Sequence, residues 1–90
     1  EVEICQTANK ASYNSQLAAL GLLGDWSTYF LYTQASLKDA LPGNLNYGLP
    51  PNSQVTITDT ATEYKHCAKF IIPDDWEAMT YYYFVEYLFT

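Results

Sequence analysis

His66 and Cys67 are neighbours in the sequence. A thiol beside an imidazole is the raw material of a nucleophilic cysteine, because a base within hydrogen-bond reach draws off the thiol proton. The stretch around them, from Tyr64 to Ile72, alternates apolar and polar residues as a strand does, and adjacent strand residues point to opposite faces. Side chains on opposite faces cannot share a proton, so the pair reads as a packed or edge histidine beside a structural cysteine. Asp59, Glu63, His66, Asp74 and Asp75 supply further metal-ligating atoms, but one histidine and two distant cysteines do not make a zinc spacing. Asp74 and Asp75, close together in a turn, could hold a calcium ion through oxygen ligands alone; the plainer reading is a solvated acidic turn. There is no glycine-rich phosphate loop, nucleophile elbow or dinucleotide fingerprint. The expectation is a chain that is not an enzyme and carries no cofactor.

The charge balance sharpens this. Four lysines, no arginine and ten acidic residues give a net charge of −6, which repels phosphate backbones and anionic headgroups. Nucleic acid is therefore not an expected partner, and without arginine the chain lacks the side chain best suited to bidentate capture of phosphate. Ninety residues, 49% hydrophobic and 17% aromatic, suffice for one domain with one core. No apolar run reaches the roughly 20 residues needed to cross a bilayer.

Elements must hold these residues in place. From Glu3 to about Leu37 apolar and small residues recur at helical spacing (Ile4, Ala8, Ala11, Ser15, Ala18, Leu22, Trp26, Tyr29, Thr33, Leu37), predicting one helix over about 3–36 despite Gly21 and Gly24. Its polar N-terminal part would protrude, while the part from Leu17 to Tyr32 sits on the core. A Pro/Gly/Asn-rich loop fills about 37–54. Strands follow near 55–59, 64–71 and 79–88, with turns at Asp59-Thr60-Ala61-Thr62 and Pro73-Asp74-Asp75-Trp76. Connections this short make antiparallel neighbours. The predicted fold class is α+β: a long N-terminal helix packed on a three-stranded antiparallel sheet, the meander spanning about 55–89. The expected core is Leu17, Leu20, Leu23, Phe30, Val55, Ile57, Ala68 and Phe70. On the second strand Tyr64, His66, Ala68 and Phe70 share one face, and Lys65, Cys67 and Lys69 mark the other as solvated.

Two cysteines permit one intramolecular bridge, which would close a long loop. With Cys5 on the helix and Cys67 turned away from it, that bridge is geometrically awkward, so free thiols or a bond between molecules are expected. The run Tyr81-Tyr82-Tyr83-Phe84, with Tyr87 and Phe89, presents rings on both faces of the last strand; half is core, and the other half is either a contact surface or partly covered by neighbours.

A long N-terminal helix followed by a loop and a three-stranded meander resembles the soluble part of a type IV pilin or type II secretion pseudopilin. Lys10-Ala11-Ser12-Tyr13-Asn14-Ser15 is similar to the stretch where the helix of short bacterial pilins leaves the membrane. Gly48-Leu49-Pro50-Pro51-Asn52-Ser53-Gln54-Val55-Thr56-Ile57-Thr58 is similar to their entry into the first strand, and Thr80-Tyr81-Tyr82-Tyr83 to their last strand. The resemblance implies a structural subunit of a bacterial surface filament, anchored in the inner membrane before assembly and extracellular after it. Its partners would be other pilin subunits, joined through about 20–25 mostly apolar residues upstream of Glu1 behind a short basic leader. Without them the 90 residues would be monomeric. Ile4, Ala8, Ala11, Tyr82 and Tyr87 are the expected contact surface. A minor subunit that primes assembly is one alternative, and a secreted module recognising a protein or glycan through its Tyr-rich strand is another.

Overall fold

The computed structural model describes residues 1–39 and 46–90. The chain runs as β1 (Val2–Asn9), α1 (Lys10–Ala19), α2 (Trp26–Tyr29), β2 (Phe30–Asp39), β3 (Asn46–Gly48), β4 (Gln54–Asp59), β5 (Glu63–Phe70) and β6 (Tyr81–Phe89). The long helix and the α+β, pilin-like arrangement are not what the sequence forms. In place of a helix over 3–36 stand two strands and two short helices, and the strands make two three-stranded antiparallel sheets, ordered β1-β5-β4 and β3-β2-β6.

Each departure has a local cause. Val2, Ile4, Gln6 and Ala8 alternate with Glu1, Glu3, Cys5, Thr7 and Asn9, and this period-two reading prevails because β5 offers a complete partner: Val2 pairs with Phe70, Ile4 with Ala68 and Cys5 with Cys67. Asn9 then starts α1 by accepting the Ser12 N–H on its side chain at 3.1 Å, satisfying one of the donors that a helix start leaves open. The helix ends where Gly21 takes φ +74. There the Gly21 N–H reaches the Ala18 carbonyl at 3.0 Å and the Leu22 N–H reaches the Leu17 carbonyl at 3.0 Å, the paired bonds of a Schellman stop. Gly24 is fixed by two constraints, a φ of +118 and the Thr28 side chain 2.9 Å from where a Cβ would sit. Asp25 and Thr28 cap α2 reciprocally.

The downstream strands lie near their predicted places, but the meander does not close. β4 and β5 pair antiparallel through the predicted Asp59–Thr62 turn, whereas β6 leaves that sheet to pair with β2, from Phe30↔Phe89 to Asp39↔Tyr81, with Leu31 bulged out. Of the predicted loop over 37–54, residues 40–45 lie outside the described residues; Leu37 to Asp39 belong to β2 and Asn46 to Gly48 form β3.

The two sheets meet face to face. Tyr64, His66, Ala68 and Phe70 are buried on one face of β5 while Lys65 and Lys69 are exposed on the other, the two-faced reading of that strand. Leu37, Ala68 and Phe70 form the central core, with Ile4, Tyr81 and Tyr83 against it. Of the other expected core residues, Leu17 is buried and Phe30 half-buried. Leu20 and Leu23 are exposed, Leu23 at 89%, because no long helix carries them onto a sheet. Val55 and Ile57 point to the inner side yet stay 47% and 49% exposed, since the second sheet covers β1 and β5 and stops short of β4.

At one end of the interior an aromatic cluster gathers around Trp26, which meets Phe30 at 5.0 Å, Phe89 at 5.1 Å and Tyr13 at 5.4 Å between ring centroids. The start of α1 is tied to the turn between β4 and β5 by the Lys10 ammonium, which pairs with the Asp59 carboxylate and donates to the Thr60 carbonyl at 2.6 Å.

Candidate ligand-binding cleft

At the opposite end the interior is open. A cleft of about 510 Å³ lies between the first residues of β1, the end of β5 and the segment leading into β6. Its floor is the core itself, with Leu37 from β2 and Phe70 from β5. Val2 and Ile4 of β1 form one side, and Ile72, Trp76, Met79 and Tyr81 the other. The volume is that of small-molecule pockets, and so is the mostly apolar lining. Glu77 is the acidic residue on its rim; Glu3 also borders it, but pairs with Lys69 on the outer face of the sheet.

The outer wall is built by the segment between β5 and β6. The Pro73–Trp76 turn forms as the sequence predicts, closed by the Trp76 N–H donating to the Pro73 carbonyl at 3.2 Å. It swings the indole against Tyr81 at 5.0 Å and Tyr47 at 5.3 Å, while Tyr47 and Tyr81 meet at 5.6 Å. The Tyr81 hydroxyl donates to the Glu77 carbonyl at 2.9 Å, fixing that residue beside the cleft mouth. Behind the rings, the Tyr47 hydroxyl donates to the fully buried Asp39 carboxylate at 3.0 Å. That bond is the main reason the Tyr47 phenol loses its proton less readily than usual, with burial and the charge of Asp39 adding to it. Burial raises the Tyr81 phenol as well, helped by the carboxylates of Glu77 and Asp39.

No family model matches the chain, and no curated protein or solved structure matches it either. Its chemistry therefore rests on the geometry.

The residues singled out in the sequence fall into separate places. Ile4 lines the cleft. Ala8 faces the interior of the first sheet and Ala11 is exposed on α1. Tyr82 is exposed on the outer face of the second sheet with Phe84, whose ring lies under the Lys38 ammonium at 4.1 Å. Tyr87 points inward instead, packing on Trp26 and Tyr64 and donating its hydroxyl to Gln6 Oε1. Asp74 and Asp75 are exposed in their turn, and among the described residues no three metal-ligating side chains converge. Sequence reasoning missed the cleft because its walls come from both ends of the chain. The available signal was Trp76 directly after the paired aspartates of the turn, a large ring where a solvated loop would need none.

His66 and Cys67 diverge, as strand alternation requires. Cys67 is bonded to Cys5. The expectation of free thiols fails because Cys5 lies on a strand directly opposite Cys67, where bridging distance is built into the pairing. His66, buried on the inner face, has Nδ1 2.6 Å from the Tyr83 hydroxyl. Burial holds the Tyr83 phenol up at about 12, so it stays protonated and suits the donor role toward a neutral imidazole. Burial also pulls His66 below the ordinary value of 6.5. The neutral ring's contribution to stability is therefore complete above that value and is lost as pH falls toward the depressed folded-state value. Thermal midpoints compared at about pH 7.5 and about pH 5.5 should fall in the parent protein and fall less in His66→Gln. Equal falls in the two proteins would remove His66 from the explanation.

Proposed function

We propose that this chain is a disulfide-stabilised, non-catalytic binding domain that takes an apolar small molecule into the cleft between Ile4, Phe70, Trp76 and Tyr81. The observation that carries the reading is the cleft. Elsewhere the sheets close on each other through Ala68, His66 and the Trp26 cluster, but here Val2 and Ile72 stand 38% and 52% exposed above a buried floor of Leu37 and Phe70. Apolar surface left accessible in a domain this small is a cost unless something covers it.

The Cys5–Cys67 bridge fits an oxidising compartment, outside the cell or on its surface, since such bridges persist there and are rare in reducing cytosol. The filament-subunit expectation drew its shape from the long helix; without that helix it rests on local sequence text alone, and the cleft asks nothing of it. No helix among the described residues is long and apolar enough to cross a membrane.

The neutral fluorophore prodan tests the reading. It should bind saturably at one site per chain with a blue-shifted emission, and Ala78→Trp, which places a ring in the cleft from an exposed position, should weaken binding about tenfold or more while leaving the circular dichroism spectrum unchanged. Saturable binding that Ala78→Trp leaves intact would place the ligand elsewhere, and non-saturable binding would end the proposal.

A further inference from the structure

We propose that the cleft selects a monocationic amphiphile, an alkylammonium-type ligand whose apolar body fills the cleft and whose ammonium group sits at the mouth between Glu77 and the Trp76–Tyr81 wall. This rests on the binding reading above and adds the chemistry of the ligand's head.

The first argument is the sign of the charge. Glu77 is the carboxylate beside the cleft, and none of the four lysines lines it. Lys10 pairs with Asp59, and Lys38 lies over Phe84 on the outer face of the second sheet. Lys65 and Lys69 stand on the exposed face of β5, where Lys69 approaches Glu1 at 3.7 Å. Glu3 is opposite Lys69 in the strand register, so part of its charge is answered. Glu77 has no cationic partner among the described residues, and residues 40–45 contain no charged side chain. An anionic ligand would meet repulsion at this mouth. A neutral apolar ligand would cover the Glu77 carboxylate without giving it a partner, which costs binding energy.

The second argument is the wall. Tyr47, Trp76 and Tyr81 are packed on one another at 5.0 to 5.6 Å, too close for a cation to enter between them, so they act as one surface. Trp76 and Tyr81 turn part of that surface to the cleft. An ammonium group over such rings is attracted by their negative faces, most strongly where water is excluded. Rings, a carboxylate and an apolar floor together fit a ligand with a charged end and a greasy body.

Calorimetric titration with three probes of equal chain length decides it: octyltrimethylammonium, 1-octanol and octanoate. At low salt the cation should bind about tenfold or more tightly than the alcohol, and octanoate should bind more weakly than either. Glu77→Gln, an exposed position, should bring cation and alcohol within about threefold of each other, and raising the ionic strength should narrow the gap in the parent protein. Equal binding of alcohol and cation, tighter binding of octanoate, or a preference untouched by Glu77→Gln would each overturn the selectivity and leave the binding reading in place. Failure of all three probes, or binding that Ala78→Trp does not weaken, would overturn the binding reading itself.

Discussion

Loss of the Cys5–Cys67 bridge, by reduction or in a Cys5→Ala/Cys67→Ala variant, is expected to lower the unfolding free energy by about 4 kcal/mol. The bridge spans a sequence separation of 62 residues, and closing a loop of that length in the denatured chain removes a large share of its conformational freedom. It also joins directly opposed residues of β1 and β5, so the native register already places them together. A domain of this size has only about 5–15 kcal/mol to lose, and the bridge is thus a large part of the margin. Guanidinium unfolding with and without reductant measures the effect, and a thiol titration of the denatured, unreduced protein should find no free sulfhydryl. An unchanged midpoint under reductant would show that the bridge does not constrain the unfolded chain.

Trp26→Ala is expected to cost about 3–5 kcal/mol. The indole is 5% exposed and touches rings from α1, β2, β5 and β6: Tyr13, Phe30, Tyr64, Tyr87 and Phe89. Its backbone N–H donates to Asn14 Oδ1 at 2.7 Å, which also joins α2 to α1, so the truncation leaves a cavity that neighbours anchored on four elements cannot fill by shifting. The indole Nε1 is buried without a hydrogen-bond partner among the described residues. Trp26→Phe gives up no hydrogen bond and removes an unpaired donor, so it should cost much less than the alanine variant, below about 1.5 kcal/mol. Chemical denaturation of the two variants separates these terms. Similar losses in both would mean that indole shape, and not ring burial, is what the cluster requires.

Neither the bridge nor the Trp26 cluster was legible as such in the sequence. Between Glu3 and Leu37 half of the pattern is carried by Ala, Ser and Thr, small residues that satisfy a helical stripe and a strand alternation equally well. Helix propensity is a weak prior in such a stretch, and a strand gains its stability from cross-strand neighbours. For Ile4 the neighbour is Ala68 and for Leu37 it is Tyr83, both far along the chain. The glycines were the better guide. Gly21 and Gly24 mark real interruptions, and weighing their backbone freedom above the stripe would have cut the helix where α1 ends.

What the sequence determined by itself is the part whose causes are local. Lys65 and Lys69 alternating with Tyr64, His66, Ala68 and Phe70 set the two faces of β5; the same period divides Tyr82 and Phe84 from Tyr81, Tyr83 and Tyr87 on β6; Asp59–Thr62 and Pro73–Trp76 are turns on their own composition. The tertiary structure alone decided which strands pair, because the same alternating edge can join any partner of matching length and face. It sent β6 to β2 instead of β5, brought Cys5 opposite Cys67, and left one end of the interior open. Val2, Leu37, Phe70 and Trp76 have no common signature in the sequence, and they become a cleft only when two sheets whose strands interleave along the chain are laid together.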